Sequence, residues 1–124
     1  MMTVLAIDNN RAELDQLCIY LEAVLPESEI ISYVDPLPAM QYMTAHSKGI
    51  EIVFTALLMQ PMDGFYLFDV MHRLIPGCLA VAVNQTETWE FKQLAYQRGA
   101  NAILLKPITA AAVCGALREC GFPC

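Results

Sequence analysis

The sequence predicts a three-layer α/β protein, in which a five-stranded parallel sheet carries helices on both faces. Two observations support this. Five short apolar runs alternate with five stretches whose apolar residues recur at helical spacing, and no linker, repeat or low-complexity segment breaks the alternation. The central stretch, residues 51–68, reads EIVFTALLMQPMDGFYLF and shows one such unit in full. Its apolar run at 52–54 suits a strand buried on both faces. Gln60, Pro61 and the turn pair Asp63-Gly64 interrupt it, and Leu67, Val70, Met71 and Leu74 then follow at the i, i+3, i+4, i+7 spacing of one helix face. In open α/β sheets, the loop after such a strand is where ligands meet the fold.

The other elements follow in order. Thr3–Ile7 is a first strand that runs into Asp8. Asn10 can cap the next helix, with Glu13 completing a capping-box pattern. Leu14, Leu17, Cys18, Leu21, Val24 and Leu25 draw its core stripe, and Pro26 stops it. Residues 30–33 form a second strand. Asp35-Pro36 starts a second helix with cap and first-turn proline in order, running through Met40 and Met43. The third helix closes at Pro76-Gly77. Residues 78–83 form a fourth strand, 84–87 a loop above its end, and a fourth helix from Thr88 buries Phe91, Leu94 and Ala95 before Gly99. Ala102–Leu105 is the fifth strand. Thr109 caps a last helix with Val113, Leu117 and Cys120 inward, and Gly121 ends it.

Composition narrows the functional classes. The 124 residues make one domain, 1–124, with enough chain to bury a single core. Apolar residues are 56% and charged residues 16%, yet no apolar run reaches the ~18–20 residues of a membrane span. The start, MMTVLAIDNN, has no basic region before its apolar run and breaks into polar residues too soon for a signal peptide, so a cytoplasmic location is expected. A net charge of −6 argues against direct nucleic-acid binding, which needs a clustered positive surface. Five scattered cysteines without a C-x-x-C pair, and two isolated histidines, argue against a zinc site. Cys18 and Cys114 are expected as reduced thiols on apolar helix faces.

The loop Met59, Met62, Asp63, Gly64 after the third strand resembles the centre of a two-component response regulator receiver domain, with Gln60 where that family has proline. This resemblance implies the flavodoxin-like (βα)5 arrangement with strand order 2-1-3-4-5, which brings the ends of strands one, three, four and five together. In the family the phosphoacceptor aspartate lies eight residues before the glycine, and here that position is Ala56. Two acids after strand one, with the acceptor aspartate, hold Mg²⁺ in the family; here Asp8 matches the first and Asn9 replaces the second. The hydroxyl residue after strand four is replaced by Asn84, and the rotating aromatic of strand five by Ile103. Lys106-Pro107 matches the family's lysine and its customary cis-proline.

The resemblance therefore implies the frame of a phospho-switch without its acceptor: a pseudo-receiver in signal transduction, not an enzyme. Asp8 is the one acid left for a metal, and Mg²⁺ generally needs one or two carboxylates with further oxygens, so weak or absent Mg²⁺ binding is expected. Lys106 is expected to pair with Asp8. Asp63 reads as a turn and helix-start residue, and Met59, Met62 and Met71 read as core filler. A flavin or dinucleotide site would need a glycine-containing loop after strand one, and Asp8-Asn9-Asn10 has none. Neither histidine falls in a strand-end loop to serve as a catalytic base.

A protein partner or a second copy is expected on the face made by the fourth helix, fifth strand and fifth helix, through which receivers commonly dimerise. On the fifth helix, Ala111, Ala112, Gly115 and Arg118 are expected to face outward. The alternative reading is the N-terminal regulatory domain of a longer DNA-binding regulator.

Overall fold

Five strands and five helices alternate in the computed structural model, which describes residues 2–85 and 88–124. Met1, Thr86 and Glu87 lie outside the described residues, so the loop expected over 84–87 is described only at Asn84 and Gln85. The order is β1 (Thr3–Ile7), α1 (Arg11–Val24), β2 (Glu29–Tyr33), α2 (Pro36–Ala45), β3 (Ile50–Ala56), α3 (Gly64–Leu74), β4 (Leu79–Asn84), α4 (Trp89–Gln97), β5 (Ala102–Leu105) and α5 (Ala110–Glu119). The sheet is all parallel in the order β2-β1-β3-β4-β5. The chain steps outward from β1 to β2 and then crosses back to β3, which makes β1/β3 the switch point.

Side chains alternate along each strand and build two cores. Leu5, Ile7, Val53, Ala80 and Ala82 pack against Met43, Leu67, Phe68, Met71 and Ala95 from α2, α3 and α4. On the other face Val4, Ala6, Ile52, Phe54, Val81 and Leu104 pack against Leu14, Leu17, Leu21, Val113 and Leu117 from α1 and α5. The strands are nearly continuous apolar runs because both faces are covered. Met59, Met62 and Met71 all pack within the first core, as expected.

The predicted caps form. The side chains of Asn10, Asp35, Asp63 and Thr109 accept from the N–H groups of Glu13, Leu37, Tyr66 and Ala112. Three expected core positions differ. Leu74, the last residue of α3, is exposed, and Phe68 and Ile75 fill the core instead. Leu94 is exposed because α4 packs against the edge strand β5, where Ala95 is its one fully buried residue and Phe91 packs partly. Cys114 is not a free thiol. It is bonded to Cys124, which the last turn of the chain brings alongside α5. Cys18 is a half-buried free thiol packed against the α1–α5 core, as expected.

Candidate functional site

Strand register brings the predicted residues to one level. Ile7 pairs with Thr55, Ala56 with Val83, and Asn84 with Leu105, so the next residues along the chain, Asp8 and Lys106, emerge beside Ala56 and Asn84. A cavity of about 210 Å³ lies at these tips and is lined by all five predicted pocket residues: Asp8, Asn9, Ala56, Asn84 and Lys106. Gly64 closes the loop from below. A Cβ there would collide with the Ala56 carbonyl oxygen and the Leu57 Cα, and the Gly64 N–H donates to the Leu57 carbonyl at 2.9 Å. The Lys106-Pro107 peptide is cis, as the resemblance implies, and Gln60-Pro61 is also cis.

The charges at the tips are satisfied internally. Lys106 Nζ lies 2.8 Å from Asp8 Oδ2 and 2.9 Å from Glu13 Oε2. The second Asp8 oxygen, Oδ1, accepts the Asn10 N–H at 2.9 Å. Burial works against the Lys106 ammonium, but its hydrogen bonds to Asp8 and Glu13 outweigh this and raise its pKa above the usual lysine value. The expected Asp8–Lys106 pair is therefore present, and Glu13 is a third member. The Glu13 N–H supplies the capping hydrogen bond to Asn10, while its carboxylate is drawn to the lysine. Only half of the capping box forms, because a buried ammonium holds a carboxylate more strongly than a backbone N–H does.

Asn9 uses both ends of its amide. Nδ2 donates to the Val34 carbonyl at 2.6 Å, and Oδ1 accepts the Gln60 N–H at 2.8 Å. It thus ties the loops after β1, β2 and β3 together. An aspartate could accept from Gln60 but could not donate to Val34. Asn84 is buried, and its carbonyl accepts the Lys106 N–H at 2.9 Å. Thr55 is fully buried, with its hydroxyl donating to the Ala56 carbonyl.

These residues do not fit a divalent cation. Mg²⁺ seeks hard oxygens in near-octahedral array. Both Asp8 oxygens and the Asn9 oxygen are engaged, Ala56 brings no side-chain oxygen, and an ammonium stands where the cation would be drawn. Among the described residues no group of three or more His, Cys, Asp or Glu converges to hold a metal. The Lys106 ammonium is the positive charge of this pocket.

Ile103 is half-buried against the α2–α4 core and offers no ring to rotate. On α5, Ala111 and Arg118 are exposed and Gly115 is half-exposed, with no atom within 4 Å of where a Cβ would stand. Ala112 differs from the expectation: it lies half-buried against the α1–α5 core, one position before the fully buried Val113. Sequence reasoning missed the aromatics of α4. Trp89 is 70% exposed and Tyr96 45%, seven residues apart on one helix face, and the Tyr96 hydroxyl donates to Glu119 of α5 at 3.3 Å. A polar helix beginning with a lone tryptophan was the available signal. Also missed was a larger cavity, about 670 Å³, beside the pocket between α1 and the residues after β5. Ala12, Gln16 and Tyr20, spaced by four, form its α1 wall.

A doubly wound parallel sheet with polar side chains gathered at its switch point defines the class: an open α/β protein. More particularly, the chain has the fold of response regulator receiver domains. The signal receiver domain of a DNA binding response regulator protein from Colwellia psychrerythraea is similar at TM-score 0.84 and 20% identity, over 98% of this chain and 98% of that one. A response regulator receiver domain protein from Clostridium thermocellum matches at 0.83 and 20% identity, over 96% and 93%. The chemotaxis protein CheY4 of Vibrio cholerae matches at 0.81 and 20% identity, over 96% and 98%. No family profile matches the sequence. Among the described residues no helix is long and apolar enough to cross a membrane.

Proposed function

We propose that this chain is a pseudo-receiver: a cytoplasmic signalling domain of the two-component type that is not phosphorylated, is not an enzyme and acts by binding protein. The observation that carries this reading is the pocket itself. Ala56 stands where an acceptor carboxylate would be needed, and Lys106 is committed to Asp8 and Glu13. A phosphoryl group would meet no nucleophile and no metal there. The working surface is then the outside of the fold, on the α4-β5-α5 face. That face offers Trp89 and Tyr96 from α4 and Ala111, Gly115 and Arg118 from α5 to a partner or a second copy.

Incubation with a small phosphodonor and Mg²⁺ tests the proposal. The intact mass is expected to stay unchanged, and a stoichiometric hydroxylamine-labile phosphoryl adduct would sink it. The likeness to the receiver domain of a DNA binding response regulator supports a second reading, a regulatory domain that precedes a DNA-binding output domain. Under that reading this domain still makes no nucleic-acid contact of its own, in keeping with its net charge of −6.

A further inference from the structure

Cys114 and Cys124, ten residues apart in sequence, are joined with their Cα atoms 5.4 Å apart. The bond holds the last residues against α5. Gly121, at φ +92°, turns the chain in a conformation that favours glycine. The Gly121 N–H donates to the Arg118 carbonyl at 3.0 Å and the Phe122 N–H to the Leu117 carbonyl at 2.9 Å. Phe122 then packs against the α1–α5 core. Pro123 forms one wall of a cavity of about 420 Å³ whose other walls include Met2, Val24, Leu25 and Pro26. The tail therefore lies on the α1 side of α5, whereas Glu119 turns to α4.

The remaining cysteines are poor competitors for exchange. Cys78 is buried and Cys18 and Cys120 are half-buried. Burial raises all three thiols, Cys78 to about 12 and Cys120 to about 11, with nearby acids adding to it. Few of them are thiolates at neutral pH, and the thiolate is the attacking form. Cys124, by contrast, is exposed.

We propose that Cys114 and Cys124 form a redox modification site, a reversible clasp closed by a low-molecular-weight disulfide and opened by the corresponding thiol. In closing, the Cys124 thiolate attacks one sulfur of the small disulfide, whose S–S bond breaks and releases one small thiolate. The Cys114 thiolate then attacks the Cys124 sulfur of the mixed disulfide and expels the second. One small disulfide is reduced to two thiols, the protein dithiol is oxidised, and the two cysteine protons end on the small thiols. In a reducing compartment the open form prevails. Closure fixes Phe122 and Pro123 over the α1 side and leaves the α4 side untouched, so the clasp does not depend on the reading of the strand-tip pocket.

Full-length protein equilibrated in glutathione buffers, from reducing to oxidising, tests the clasp by differential alkylation and peptide mapping. Cys114 and Cys124 should become protected together, with Cys18, Cys78 and Cys120 remaining as thiols. Oxidation should slow hydrogen exchange at the Phe122 amide and raise the melting temperature by roughly 5–10 °C, and Cys124→Ser should fold but lose both responses. A Cys120–Cys124 linkage would overturn the proposal, as would no protection in oxidising buffer or identical Phe122 exchange in the two states.

Discussion

The strand-tip pocket and the α4–α5 face treat their polar and apolar groups in opposite ways. At the tips, Asp8, Asn9 and Lys106 each spend their side chains on partners within the chain. On the α4–α5 face, Trp89 is left largely in solvent and Gly115 stands beside open space. In the pocket the single ammonium is already committed to two carboxylates. An outer face with exposed aromatic and small residues has contacts still to make. Under the proposed function, the binding surface is this outer face and not the strand tips.

The largest effect on this contrast is expected from breaking the pocket's ion group. Lys106→Met would leave Asp8, whose side chain is 5% exposed, without its counter-charge. Removing one partner of a fully buried pair costs ~3–5 kcal/mol, and partial solvation here reduces that to about 2–3 kcal/mol. A denaturation cycle over Asp8→Asn and Lys106→Met should show the double variant losing less than the sum of the singles. Strict additivity would mean that the two side chains do not interact.

Next is the three-loop tie. Asn9→Asp removes the donor to Val34 and sets a carboxylate against a carbonyl, at about 1–2 kcal/mol. Ala56→Asp alone should not create a working receiver, since Asn9 and Asn84 remain. Titration calorimetry with Mg²⁺ and phosphodonor labelling of Ala56→Asp, with and without Asn9→Asp and Asn84→Thr, would sharpen the comparison. Full labelling from the single change would show that Asn9 and Asn84 do not limit phosphorylation.

A smaller, graded effect is expected with pH. The Lys106, Cys78 and Cys120 pKa values are all raised in the folded chain. Between the unfolded and folded values, the folded state holds more protons, so stability falls as pH rises. Under reducing conditions the decline should begin near pH ~9, as unfolded thiols ionise, and steepen above ~10.5, where lysine joins. Urea midpoints flat from pH 8 to 11 would contradict it. Smallest in stability is Gly115→Glu, which meets no neighbouring atom and should leave the fold unchanged while weakening self-association. Sedimentation of parent and variant at high concentration would decide this, and two identical monomers would remove the α5 face as a dimer contact.

Much of this was legible in the chain. The caps at Asn10, Asp35, Asp63 and Thr109 are local events between residues two or three apart, and sequence displays such pairs directly. The five pocket residues could be named because the resemblance to receiver domains places them by position, with Ala56 eight residues before Gly64 and Lys106 directly before Pro107. Glu13 was misread as the second half of a capping box because its real partner is Lys106, ninety-odd positions away by a route that only the sheet supplies. Leu74 and Leu94 fit helical periodicity, yet the end of α3 and the edge position of α4 left them outside the core.

By itself, the sequence determined the alternation of strands and helices, and that Ala56 carries no side-chain oxygen and Asn9 no carboxylate, because these depend on residue identity and local spacing. Tertiary structure alone decided that Lys106 serves two carboxylates, that Asn9 binds three loops, that Trp89 and Tyr96 share an open face, and that Cys114 meets Cys124. Each of these depends on how separate segments come together in the packed fold or on which helix face the core leaves uncovered. Such quantities are set by the packing of the whole core and are not written in any single stretch.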